Sequence, residues 1–97
     1  MQPGERELFE RERTIAHQTF VKLKELRNDI AIETAAGHPL QVGDLKNEFA
    51  VQIEILRSAY FEMELYRKGG ADSALVERAV REVQAYFREL GEDVPAV

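Results

Sequence analysis

Apolar residues recur at helical spacing along three segments of the chain, and two glycine-containing breaks separate these segments. The breaks are Gly37-His38-Pro39 and Gly69-Gly70. Apolar side chains at i, i+3, i+4 and i+7 line one face of a helix, whereas a half-buried strand alternates with a period of two. Because the connections are short, consecutive helices are expected to run in opposite directions. The pattern predicts an all-α fold, a three-helix antiparallel bundle with a long first helix.

The predicted helices span residues 5–36, 44–68 and 73–90, and residues 91–97 form a frayed tail. Asp44 is the expected N-cap of the second helix, because a short side-chain oxygen there can accept a bond from a free backbone N–H. Together the three helices make one domain, since 97 residues give a core near the lower limit for independent stability.

The first helix is predicted to exceed the second by about two turns. In an antiparallel arrangement the overhang is the N-terminal part of the first helix, which contains Leu8 and Phe9. Little of the chain itself is left to cover these side chains. We therefore expect dimerisation to complete the bundle.

The second helix carries apolar residues on two sides. Its main seam consists of Leu45, Phe49, Ile53, Leu56, Tyr60 and Met63, broadened by Ile55, Ala59 and Tyr66. Phe61, Leu65 and Val51 lie on the opposite side, where a bundle leaves them exposed. Contiguous exposed apolar surface marks interaction sites, although single exposed apolar residues are common and the tip of the first helix can simply fray. The predicted interface comprises Leu8, Phe9, Val51, Phe61 and Leu65.

Composition narrows the possible partners and surroundings. The chain is 44% hydrophobic and 32% charged, with a formal net charge of -5. We expect no nucleic-acid partner, because nucleic-acid modules carry a basic patch that neutralises several phosphates. The sequence has no cysteine, no signal-peptide pattern and no apolar run that approaches the ~18 residues of a membrane span. The expected location is the cytoplasm, away from membranes.

Candidate chemistry centres on one arginine. His17 and His38 lack a carboxylate at the spacing of helical metal sites, so no metal or cofactor is expected. Arg27 falls on the apolar stripe of the first helix, where its guanidinium must reach water or meet a carboxylate. Glu12 lies on the same stripe, and Glu12 of one chain can approach Arg27 of the other in an antiparallel dimer. The alternative is that Arg27 binds an anionic ligand.

The long first helix, the stretch Gly-His-Pro-Leu-Gln-Val-Gly-Asp-Leu-Lys-Asn-Glu and the glycine break before the last helix resemble the layout of AroQ-type chorismate mutases. That resemblance implies an intertwined helical dimer that binds a dicarboxylate through basic residues. It makes Arg11, Arg27 and Lys46 the basic counterparts and Glu48 the acidic one. The family's basic residue near the end of the first helix has no counterpart at residues 33–36.

Two hypotheses about function follow. The preferred one is a non-enzymatic helical protein–protein interaction module, a homodimeric regulator or assembly factor that binds a second copy and also a helix of another protein. The alternative is a small helical dimeric enzyme or ligand sensor with the AroQ-like layout, which binds an anionic small molecule at an inter-subunit pocket organised by Arg27.

Overall fold

The computed structural model describes residues 2–70 and 73–97. They form three α-helices, α1 (Pro3–Ala35), α2 (Pro39–Lys68) and α3 (Ser73–Glu89), so the all-α prediction is confirmed. α1 and α2 pack closely along their lengths, and α3 packs more loosely against them. The molecule is extended, at 51 × 22 × 16 Å. Within the described residues, no helix combines the length and the apolar character that a membrane span needs.

Side-chain pairs along the interface show that α1 and α2 run in opposite directions. Near the start of α1, the ring of Phe9 lies edge-on to Tyr66, with centroids 5.5 Å apart. Further along, Lys22 Nζ lies 3.5 Å from Glu48 Oε1. A residue later in α1 therefore contacts a residue earlier in α2, so the two helices are antiparallel.

α3 reverses direction again and packs beside the C-terminal half of α2. Gln84 Nε2 donates to the hydroxyl of Tyr60 at 3.1 Å, and the Phe87 ring lies edge-on to Tyr60 with centroids 5.8 Å apart. On the α1 side, Phe20 and Tyr86 stack nearly parallel at 4.2 Å. These aromatic contacts hold α3 over the half of the α1–α2 hairpin that lies farther from the connection between α1 and α2.

The connection between α1 and α2 is shorter than predicted. Gly37, with φ of 75°, ends α1, and the N–H of His38 bonds to the carbonyl of Glu33 at 3.0 Å, as in a Schellman motif. α2 then begins at Pro39, because proline lacks a backbone donor and its fixed φ suits the first helical position. The predicted start at residue 44 is wrong, and Asp44 lies inside the helix instead of capping it.

The early start of α2 removes the predicted overhang. α1 has 33 residues and α2 has 30, a difference of less than one turn. Phe9 is therefore completely buried against Tyr66 within its own chain, and the prediction that Phe9 lacks cover is wrong. Leu8, by contrast, is 51% exposed.

Where α3 covers the α1–α2 hairpin, the buried apolar residues are those that the apolar seams predicted. Along α2 the buried members of the seam are Ile53, Leu56, Ala59, Tyr60 and Met63. Ile55, predicted to broaden that seam, points away from the core and is exposed. Residues 91–97 lack regular structure, but Val94 packs half-buried against the core, so the tail is not wholly frayed as predicted.

Candidate functional site

An exposed strip with several apolar residues runs along α2, opposite its core seam. We call it the outer face. Successive residues of a helix are 100° apart, so these side chains fall in a strip about 120° wide and ~21 Å long. The strip carries Val51 (59% exposed), Ile55 (39%), Phe61 (39%) and Leu65 (61%), with Ser58 at its middle and the exposed carboxylates Glu54 and Glu62 on either side of Ser58.

The outer face is symmetric about Ser58. Val51 lies seven residues before Ser58 and Leu65 lies seven residues after it, while Ile55 and Phe61 lie three residues before and after. Glu54 and Glu62 lie four residues before and after Ser58, so the same spacing also places two exposed carboxylates beside it. A two-fold interface uses the same patch on both chains, and an antiparallel crossing at Ser58 brings Val51 of one chain level with Leu65 of the other and Glu54 level with Glu62.

Two carboxylates border this face where it meets α1. Burial raises the pKa of the Glu12 carboxyl, and the nearby charge of Glu62 raises that pKa further, whereas Arg11 lowers it. Glu62 itself is exposed on α2 between Ser58 and Leu65. The edge of the outer face is therefore acidic, which weakens its association with any acidic surface, a second copy of this face included.

A second surface is a groove that opens where α3 ends. α3 has 17 residues, about 26 Å, and α2 has 30, about 45 Å, so α3 covers little more than half of the hairpin. The groove beyond it has a volume of about 430 Å³. Its apolar lining consists of Ile30, Phe49, Ala50 and Ile53. Phe49 was predicted to belong to the core, but without α3 above it the ring is only half-buried.

Charged side chains surround the groove. Arg27 Nη1 donates to the backbone carbonyl of Glu89 at 2.8 Å, at the negative end of α3. Arg57 Nη1 donates to the Glu54 carboxylate beside it. In the part of the chain that the structure describes, Lys46 forms no ion pair. Arg27 and Lys46 thus retain their positive charge at the rim.

The turn after α3 places an acidic residue on the same groove. Gly91 has φ of 74°, which only glycine adopts at little cost, and the N–H of Glu92 bonds back to the carbonyl of Phe87 at 2.9 Å. Glu92 therefore lines the groove at a position fixed by backbone bonds.

The structure brings together only part of the predicted ligand set. Arg27 and Lys46 line the same groove. Arg11 precedes Arg27 by 16 residues of one helix, which is about 24 Å. Glu48 lies 3.5 Å from Lys22 and not in the groove. Glu12 is as distant from Arg27 as Arg11 is, so their pairing stays a prediction about two chains.

A polar cluster between α1 and α3 was not predicted. Arg13 forms a forked interaction with Glu82, with Nη2–Oε1 at 3.0 Å and Nε–Oε2 at 3.3 Å, and the hydrogen bonds to Glu82 raise the pKa of Arg13. His17 Nδ1 lies 3.2 Å from the Tyr86 hydroxyl, whose pKa is raised by burial and then by the charge of Glu82. Arg13 and Glu82 are 69 residues apart and no motif links them, so this cross-helix pair carried no sequence signal.

Within residues 2–70 and 73–97, no group of three or more His, Cys, Asp or Glu side chains is placed so that it could hold a metal ion. His38 Nδ1 lies 2.6 Å from Glu33 Oε2 across the turn between α1 and α2, which gives this histidine a partner within the turn.

Comparison of the chain with protein-family models, with curated proteins and with solved structures finds no match.

Proposed function

We propose that this protein is a non-enzymatic helical interaction module that associates with a second copy through the outer face of α2 and acts as a regulator or assembly factor. The supporting observation is the symmetry of the exposed apolar residues about Ser58. Two copies that cross antiparallel at Ser58 bring Val51 of one chain toward Leu65 of the other, while the carboxylates of Glu54 and Glu62 oppose the association.

The size of the face predicts weak, reversible association. Full burial of a large apolar side chain contributes about 1.5–3 kcal/mol, and partly covered side chains contribute about 1 kcal/mol each. Four such residues from each protomer supply roughly 8 kcal/mol, which is similar to the ~4–15 kcal/mol cost of bringing two proteins together. The serine at the centre allows the two helices to approach closely. Contacts from Leu8 or from a further helical partner would add to this affinity.

The direct test is sedimentation velocity across a dilution series for the parent chain, Phe61→Asp and Val21→Asp. Val21 is 42% exposed and Phe61 is 39% exposed, but Val21 lies on α1, away from the outer face. We expect the parent and Val21→Asp to share one concentration-dependent dimerisation curve, and Phe61→Asp to shift toward monomer while its circular dichroism stays helical. A parent that remains monomeric throughout, or a Phe61→Asp curve equal to the parent's, would rule out this interface.

A variant that is expected to strengthen dimerisation complements Phe61→Asp, which is expected to weaken it. Glu62→Leu removes a charge that lies between Ser58 and Leu65 and that association must desolvate. We expect this variant to dimerise at lower concentration than the parent. A decrease in association would show that Glu62 contributes a favourable contact and that the proposed crossing is wrong.

A further inference from the structure

The groove beyond α3 combines an apolar lining with positive charge at its rim. Phe49 and Ile53 of α2 form one wall, and Ile30 of α1 forms the other. A volume of about 430 Å³ lies within the range of ~300–1,000 Å³ that accommodates small organic ligands. The groove belongs to a single chain, and it adjoins the outer face at Glu54, which lines the groove and lies within the outer-face strip.

The charges favour an anion even though the chain as a whole is acidic. Lys46 extends from the α2 wall, and Arg27 is held on the α1 wall by its bond to the Glu89 carbonyl. A carbonyl group orients the guanidinium without neutralising it, so Arg27 keeps a full positive charge. Arg57 is balanced by Glu54. Glu92 opposes the two remaining cations, which leaves the groove with one net positive charge on a protein of net charge -5.

We propose that this groove binds a small amphipathic organic anion, a carboxylate attached to an aromatic or alkyl body. The apolar body lies against Phe49, Ile30 and Ile53, where it removes the partly exposed Phe49 and Ile30 side chains from water. The carboxylate lies at the rim, where Lys46 and Arg27 approach it from opposite walls. An ammonium and a guanidinium provide charge-assisted donors to such a group.

Naphthoate is a suitable probe, and the matching uncharged naphthalene alcohol is its control. Amide NMR spectra of the full chain, titrated with each compound, report both where the compound binds and how tightly. Because the groove is open, we expect naphthoate to bind in the millimolar range and to shift amides near residues 27–30, 46–53 and 91–92. The alcohol has the same apolar body without the charge, so it should bind the same site more weakly.

Three variants separate the charge contribution from simple hydrophobic adsorption. Lys46→Gln should weaken naphthoate binding by about two- to fivefold, the range expected for one exposed charge pair, and leave the alcohol unchanged. Glu92→Gln should strengthen naphthoate binding, because it removes the opposing charge. Lys68→Gln makes the same chemical change about 33 Å away along α2 and should have no effect.

Some outcomes would overturn the proposal. They are equal affinity for naphthoate and the alcohol, amide shifts that lie outside the groove, no shift at millimolar naphthoate, or an unchanged affinity in Lys46→Gln. Measurement of the association state in the same samples keeps this result separate from the dimer proposal, since a monomeric chain can still bind naphthoate.

Discussion

Arg67 Nη2 lies 2.7 Å from Oε2 of Glu64, a residue of α2 that is completely buried. Removing a charge from water is costly unless an opposite charge accompanies it. Arg67 supplies that charge from the edge of the core, where 37% of its side chain remains exposed, and it also lies 3.8 Å from Glu77 on α3. Burial raises the pKa of neighbouring Tyr60, and the charge of Glu64 raises it further.

Arg67→Ala is therefore expected to destabilise the protein, mainly because the buried carboxylate of Glu64 would lose its positively charged partner. Breaking a fully buried pair in this way costs about 3–5 kcal/mol, and the exposure of Arg67 reduces the expected loss to about 1–3 kcal/mol. Urea denaturation at pH 7 measures the change as a lower midpoint with an unchanged slope. Glu64→Gln is the matched control, because it removes the buried charge and leaves Arg67 free to contact water.

A double-mutant cycle tests the explanation itself. In the Glu64→Gln background, Arg67→Ala should cost much less than it does in the parent chain, since no buried carboxylate remains. An equal cost in both backgrounds would mean that Arg67 stabilises the fold through its packing or through Glu77, and not through Glu64.

Glu12 provides a prediction about pH. Burial first, and the charge of Glu62 second, raise the pKa of this carboxyl in the folded chain. The folded chain therefore binds a proton at Glu12 more tightly than the unfolded chain does, so ionised Glu12 opposes folding above its folded-state pKa. This penalty is absent below the unfolded-state pKa of about 4.3.

Glu12→Gln should consequently stabilise the protein at pH 7, by less than about 1 kcal/mol because the site is partly solvated, and the gain should vanish as the pH approaches 4. Denaturation midpoints at several pH values measure the difference. Glu25→Gln is the control, since Glu25 is exposed on the same helix. A gain that persists at pH 4, or one of the same size in Glu25→Gln, would exclude Glu12 as its source.

The sequence allowed the helices and the α3-covered part of the core to be predicted, because helical periodicity reflects which side chains are buried. The start of α2 was not predictable from proline alone. Pro39 can lie in a loop or at the first position of a helix, and the Schellman bonds at Gly37 decide between the two. The additional helical turn at the start of α2 determined whether α2 reaches far enough to cover Phe9.

The candidate surfaces were only partly predictable. Exposure of Val51, Phe61 and Leu65 follows from their angle opposite the main seam, so the sequence indicated most of the outer face. The groove depends on where α3 stops relative to the hairpin, which is a tertiary distance. Phe49 lies on the apolar seam by sequence, and only the limited length of α3 leaves its ring partly exposed beside Lys46.

Glycine substitutions test the unexpected start of α2. Gly43 lies inside α2, and a Cβ built there meets no atom within 4 Å. Because glycine in a helix is less favourable than alanine, Gly43→Ala should stabilise the protein by about 0.5–1 kcal/mol. A Cβ at Gly37 also meets nothing within 4 Å, but its φ of 75° is strained for alanine, so Gly37→Ala should destabilise by about 1–2 kcal/mol.

The two substituted positions differ in backbone conformation and not in packing. Comparing the two variants therefore tests which of the positions is helical. Thermal and urea unfolding of both, at one protein concentration, should move the midpoints in opposite directions, and the far-ultraviolet circular dichroism should remain that of the parent. If α2 instead began at residue 44, Gly43 would lie in the connecting loop and would gain no helix-propensity benefit from alanine. A Gly43→Ala chain no more stable than the parent would therefore argue that the helix does not begin at Pro39.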